Sequence, residues 1–104
     1  MNKLKHLEGI SNQQIVCFEA DANYTKLHID QNHKVLSSFT LKIHHEQYPN
    51  FVRLSRKYVV NPYHISTVDM VKKQILMKNG LHLNVSRRRL DKVLTKISQI
   101  LIKD

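Results

Sequence analysis

Several residue types that define common classes of small protein are scarce in this 104-residue chain. Its single cysteine, Cys17, excludes a disulfide framework and is typical of a reducing compartment. Cys17 also falls in the pattern of a buried strand, where a thiol is normally inert. With only two glycines the chain has no glycine-rich phosphate loop, and it has no paired carboxylates. We therefore expect no enzyme, no cofactor and no small-molecule substrate.

Long apolar segments are missing as well. No run approaches the roughly 18 residues that a membrane span requires, and we find no signal peptide. These absences predict a cytoplasmic protein that has no membrane partner.

Seven histidines raise the question of a metal site. His44 and His45 are adjacent, so they cannot share one face of a helix. No cysteine or carboxylate lies beside them at the spacing of metal ligands. The sequence therefore predicts no metal site.

Acidic residues are few, and this shortage sets the charge of the chain. Eight Asp and Glu residues face 17 Lys and Arg residues, which gives a net charge of +9 and a pI near 9.9. A pI above about 9 is typical of nucleic-acid-binding domains, and also of some proteins that bind membrane surfaces or heparin.

Hydrophobic periodicity predicts one domain with a mostly β (α+β) fold. Strand patterns, six or seven in number, cover 14–20, 24–29, 34–37, 51–54, 64–70, 73–78 and 81–85. Helical spacing over 40–48, ended by Pro49, predicts a short middle helix. Asn79-Gly80 is a strong hairpin signal. A C-terminal amphipathic helix is predicted by the stripe of Leu90, Val93, Leu94, Ile97 and Leu101.

Two basic clusters stand out, FVRLSRKYVVN at 51–61 and NGLHLNVSRRR at 79–89. In the second, Ser86 is predicted to be a helix N-cap, which puts Arg87–Arg89 in the first helical turn. A cation at that end of the helix dipole costs roughly 0.3–1 kcal/mol. Unpaired backbone N–H groups and three guanidinium groups form a good phosphate site, so the pattern favours a nucleic-acid backbone as the partner.

Four segments, taken in order, resemble the LytTR family of bacterial DNA-binding domains. They are FEADANYTKLHI, TLKIHHEQYP, FVRLSRKYVVNPYHI and LMKNGLHLNVSRRRLDKV. The resemblance covers about residues 10–97. Ser55, Lys57 and Asn84 depart from the residues that are commoner in the family. We therefore expect a LytTR-like domain at 10–104, preceded by a flexible N-terminal arm at 1–9.

The resemblance implies short antiparallel sheets and a regulator of transcription that binds double-stranded DNA. It implies loops inserted into successive major grooves, and two copies of the domain on adjacent half-sites of a direct repeat. Most family members carry a receiver domain upstream, as the output domains of response regulators do. No receiver is visible here, so we expect a standalone regulator or an excised domain.

The resemblance also assigns residues to the DNA contacts. The expected base contacts are Thr25, Lys26, Arg56 and Arg87. The expected phosphate contacts are Asn23, Tyr24, Arg53, Ser55, Lys57, Ser86, Arg88 and Arg89.

For some of these residues, a structural role without any DNA contact is an open alternative. Arg53 could form a surface ion pair with Glu19 or Asp21, which contributes little. Arg87 could be a solvated residue at the helix start. Asn23 suits a turn because it tolerates left-handed backbone angles.

Two other functions fit the charge. One is an RNA-binding module, although RNA readers usually present clustered aromatic side chains, and the 7% of aromatic residues here are dispersed. The other is a basic domain that binds an acidic protein.

Overall fold

Two antiparallel sheets and two α-helices form the part of the chain that the computed structural model describes, residues 10–102 without the side chains of Gln31 and Ile102. The arm predicted at 1–9 lies outside it. The strands are β1 (Ile15–Asp21), β2 (Tyr24–Ile29), β3 (His33–Ser37), β4 (Val52–Arg53), β5 (Tyr58–Val60), β6 (Ile65–Asp69), β7 (Gln74–Met77) and β8 (His82–Asn84). The helices are α1 (Leu41–Gln47) and α2 (Leu90–Ile102). The predicted fold class, with its middle and C-terminal helices, is confirmed.

Strand β1 is the centre of the larger sheet. The five strands run in the order β3-β2-β1-β5-β4, and β6-β7-β8 form a separate three-stranded sheet. Because β1 pairs with both β2 and β5, the β1–β2 turn and the β4–β5 loop lie at the same end of the larger sheet.

The core divides between the two faces of the five-stranded sheet. One cluster joins β1 to the three-stranded sheet and α2, with Cys17, Ile75 and Val93 among its members. The other joins β1 to α1 and includes Phe18 and Leu41. Successive strand residues point to opposite faces, so β1 supplies apolar side chains to both clusters.

Helix α1 matches its sequence signals. The Thr40 hydroxyl accepts a hydrogen bond from the backbone N–H of Ile43 at 3.4 Å, which caps the helix start. The helix ends just before Tyr48 and Pro49, as the sequence predicts.

The start of the terminal helix differs from the prediction. Arg87–Arg89 form a separate 3₁₀ turn, the Ser86 side chain makes no cap hydrogen bond, and α2 begins only at Leu90. The N–H of Arg89 donates to the Ser86 carbonyl at 3.0 Å. The arginines therefore lie just before the α-helix, and Asp91 is the charged residue in its first turn.

The buried stripe of α2 also shifts from the prediction. Val93 and Ile97 are buried and Leu90 packs against the same cluster, as expected. Leu101 is exposed, and Ile100 packs in its place. The positions that pack are thus i, i+3, i+7 and i+10, so the stripe moves by one residue in the last turn of the helix.

The backbone conformations of the β1–β2 turn and of the β7–β8 hairpin loop differ from those predicted from the sequence. The β1–β2 turn places Ala22, and not Asn23, at a positive φ of 53°. The hairpin predicted at Asn79-Gly80 exists, but its loop has three residues, because the N–H of Met77 donates to the carbonyl of Leu81. Only Gly80 takes a positive φ there, 94°, as three-residue hairpin loops require.

Candidate nucleic-acid interface

The two basic clusters, about thirty residues apart in the sequence, meet in the fold. The N–H of Ser86 donates to the carbonyl of Leu54 at 3.0 Å, which joins the segment before α2 to the β4–β5 loop. Between them lies a concave surface of about 660 Å³, which we call the basic groove. Its lining residues are Ser55, Arg56, Lys57, Ser86, Arg88, Arg89 and Lys92. No acidic residue of the described chain lines it.

Arg53 braces the loop that carries Arg56. Its Nε donates to the Ser55 carbonyl at 2.9 Å, and its Nη2 donates to the Arg56 carbonyl at 3.4 Å. The Ser55 hydroxyl accepts from the N–H of Lys57 at 3.1 Å, which tightens the same turn. Among the described residues, Arg53 forms an ion pair with neither Glu19 nor Asp21, so that alternative is wrong. No sequence pattern predicts this bracing, because it depends on the path of the loop.

The carboxylate of Glu19 lies beside this loop. It accepts a hydrogen bond from His28 Nε2 at 2.8 Å and lies 3.5 Å from Lys57 Nζ. Burial alone would raise the pKa of Glu19. The hydrogen bond and the charges of His28, Lys26 and Lys57 outweigh it, so the pKa lies below its ordinary value. Glu19 therefore remains ionised and holds Lys57 in place.

Lys26 lies in the same row of the sheet as the loop. In the strand register, Lys26 of β2 lies opposite Glu19 of β1, and Glu19 lies opposite Tyr58 of β5. Two strand spacings separate Lys26 from Tyr58, roughly 10 Å. The ammonium of Lys26 is partly exposed and lies 3.9 Å from Asp21.

The expected base contact of Thr25 is corrected by the structure. Its side chain is completely buried, and its hydroxyl donates to the Phe39 carbonyl at 2.7 Å. In this fold Thr25 offers no group to a ligand. His28, later in the same strand, is only 6% exposed, and its Nε2 donates to the Glu19 carboxylate.

The remaining predicted contacts are accessible. Asn23 and Tyr24 are exposed at the β1–β2 turn. Arg87 is exposed between Ser86 and Arg88, although it does not itself line the basic groove. Lys26, the β4–β5 loop and the 3₁₀ turn thus lie in one region of the molecule.

Cys17 and the histidines are the other candidates for reactive or metal-binding groups. Burial, and then the charge of Glu19, raise the pKa of Cys17 to about 12, so its thiol is inert. Within residues 10–102, no three His, Cys, Asp or Glu side chains are placed to hold a metal ion. No described helix has both the length and the apolar character needed to cross a membrane.

Comparisons with known proteins agree with this fold. The family model of the LytTr DNA-binding domain matches residues 5–98. A similar solved structure is the LytTr DNA-binding domain of a Bacillus cereus protein described as a methyl-accepting/DNA response regulator. It has a TM-score of 0.64 and 20% identity, over 86% of this chain and 82% of that chain. No curated protein matches. Because the family model spans most of its length, the chain belongs to the LytTR family of DNA-binding domains.

Proposed function

We propose that this DNA-binding domain recognises specific sequences in double-stranded DNA and thereby regulates transcription. The basic groove is the observation that carries the proposal, because two distant arginine-rich segments converge there without a lining carboxylate. Clustered cations of this kind neutralise DNA phosphates and release their counterions. LytTR is a family of DNA-binding domains, not of enzymes, which agrees with this role.

The proposed mode of binding uses loops and no recognition helix. The β1–β2 turn, the β4–β5 loop and the 3₁₀ turn enter the major groove. There Lys26, Arg56 and Arg87 contact base edges, since lysine and arginine match the acceptors of guanine. The residues predicted as phosphate contacts hold phosphates, which set position without reading sequence.

The setting of this activity is also part of the proposal. Two copies bind adjacent half-sites of a direct repeat in bacterial DNA. The domain acts in the cytoplasm, as the output domain of a response regulator does.

Selection of bound duplexes from a random pool tests the proposed function directly. We expect the protein to enrich a repeated motif, and single-stranded RNA to compete poorly for the enriched duplex. Strong competition by RNA would favour the RNA-binding alternative. Enrichment of no sequence, with salt-sensitive capture of an acidic protein, would favour the protein-interaction alternative.

Lys57→Ala should weaken binding to all duplexes by a similar factor, because Lys57 is an exposed cation of the groove. The slope of log K against log salt should become shallower by about one unit, the effect of one lost phosphate contact. Fluorescence anisotropy at several salt concentrations measures this slope. Lys78→Ala, which removes an exposed lysine by the Asn79-Gly80 loop, is the control and should leave it unchanged. An unchanged slope for Lys57→Ala would remove this residue from the interface.

Arg53→Lys should weaken binding of the selected duplex by about tenfold, roughly 1.4 kcal/mol. The charge remains, but an ammonium cannot span the Ser55 and Arg56 carbonyls as a guanidinium does. The salt slope should stay the same because no charge is lost. Lys57→Arg serves as the control for the loop and should bind as the parent does. Equal affinity for Arg53→Lys and the parent would show that the loop needs no brace.

A further inference from the structure

A second concave surface adjoins the basic groove, between α1, β4 and α2. Its volume is about 180 Å³, and two valines and five basic side chains line it. The basic residues are His45, Arg53, Arg89, Lys92 and Lys96. No Asp or Glu of the described chain lines this surface, which we call the α2 pocket.

The α2 pocket is continuous with the basic groove. Arg89 and Lys92 line both surfaces. Among residues 10–102, the ion pairs found are made by other cations, so both side chains keep their charge available. The positive surface therefore extends beyond the loops and onto the face of a helix.

The floor of the α2 pocket is fixed by hydrogen bonds. Lys96 Nζ donates to the carbonyls of Pro49 and Phe51 at 2.9 and 2.7 Å. His45 Nε2 donates to the same Phe51 carbonyl at 3.1 Å. The ammonium of Lys96 and the imidazole of His45 are thus held by the segment that follows α1, so a ligand would meet a largely preformed site.

The cations of this pocket repel one another. Burial lowers the pKa of His45, and the charges of Lys96, Arg53 and Arg89 lower it further, although its hydrogen bond to Phe51 opposes them. Burial and then the charge of Arg89 lower the pKa of Arg53 as well. Like charges gathered in this way destabilise the free protein, and a bound anion would relieve the repulsion.

We propose that the α2 pocket holds a backbone phosphate of the bound DNA, outside the segment that the loops contact. The inference rests on the proposed function and extends the contact surface along α2. Lys92 and Lys96 are four residues apart, so they share a helix face and are roughly 6 Å apart along its axis. Phosphates of one DNA strand follow one another at about 3.4 Å along the DNA axis. The contact lengthens the footprint and reads no sequence.

The first test compares Lys96→Gln with the parent on two duplexes that contain the selected motif. One duplex ends at the edge of the loop contacts, and the other extends past the α2 pocket. On the long duplex we expect a salt slope shallower by up to about 0.9 unit, and on the short duplex no change. A purely structural role of Lys96 would lower the melting temperature and leave the slope alone, which would overturn the proposal.

Two further variants complete this test. Lys92→Gln changes an exposed side chain and should fold normally, and its slope on the long duplex should also be shallower. Lys78→Gln, away from both surfaces, should match the parent. A Lys92→Gln slope equal to that of the parent on the long duplex would overturn the proposal.

The second test follows His45 by NMR titration with and without the long duplex. The groups that face His45 are Arg53 from β4, Arg89 from the 3₁₀ turn, and Lys92 and Lys96 from α2. A phosphate among them favours the charged imidazolium, so the pKa of His45 should rise on binding. An unchanged pKa of His45 would place the phosphate elsewhere and overturn the proposal.

Failure of the proposed function would look different. In that case the parent protein would select no duplex at all, and Lys57→Ala would have no effect. In the other case, the parent and Lys57→Ala behave as expected while Lys96→Gln leaves the salt slope on the long duplex unchanged. That result would refute only the phosphate contact proposed for the α2 pocket.

Discussion

Phe18→Ala is expected to lower the free energy of unfolding by about 3–5 kcal/mol. Phe18 lies in the central strand of the larger sheet and is completely buried. Its ring centroid lies 5.0 Å from that of His44, 5.4 Å from Tyr48 and 5.5 Å from Phe51. Truncation would leave a cavity under α1 and remove these ring contacts. Since a domain of this size is stable by only about 5–15 kcal/mol, the loss is a large share of the total.

Urea unfolding followed by circular dichroism measures this change. Phe39→Ala is the control, because Phe39 is 39% exposed and its ring meets His44 only at an edge. It should cost clearly less than Phe18→Ala. If the two variants unfold at the same urea concentration, the packing described between β1 and α1 is wrong.

Local signals in the sequence predicted the elements that depend on neighbouring residues. The alternation of β1, the end of α1, and the hairpin at Gly80 all follow from residues within a few positions of one another. These features reflect backbone preferences and side-chain periodicity, so one stretch of sequence is enough to predict them.

Features that depend on distant residues could not be predicted from periodicity. Thr25 occurs in strand β2 on the same face as Leu27 and Ile29, and all three are buried. Only the fold shows that the Thr25 hydroxyl donates a hydrogen bond to the Phe39 carbonyl, fourteen residues away. The meeting of Ser86 with Leu54 likewise requires the two sheets to be assembled. The resemblance to a family could name the loops, but it could not say which side chains remain accessible.

The three arginines Arg87–Arg89 lie where the predicted and observed starts of α2 differ. An α-helix starting at Arg87 would spread three side chains around the first turn. The observed 3₁₀ turn has three residues per turn and delays the helix to Leu90. Arg88 and Arg89 line the basic groove, whereas Arg87 is exposed and does not line it. The roles of adjacent arginines are therefore open to a direct comparison.

Arg87→Ala is expected to lose about 1–3 kcal/mol of binding free energy on selected duplexes and much less on random DNA. The reason is that a guanidinium paired with guanine O6 and N7 discriminates between bases, whereas a phosphate contact does not. Arg87 is exposed and supports no described hydrogen bond through its side chain, so the variant should fold normally. Anisotropy titrations with both kinds of duplex measure the difference.

Arg88→Ala is the matched comparison, since it removes the same side chain one residue later in the same turn. As a phosphate contact it should lose affinity equally for selected and random duplexes, with a salt slope shallower by about one unit. If Arg88→Ala shows the selective loss and Arg87→Ala the uniform one, the base-reading arginine is the one that lines the basic groove. If both losses are uniform, neither arginine reads sequence, and Lys26 and Arg56 must supply the specificity.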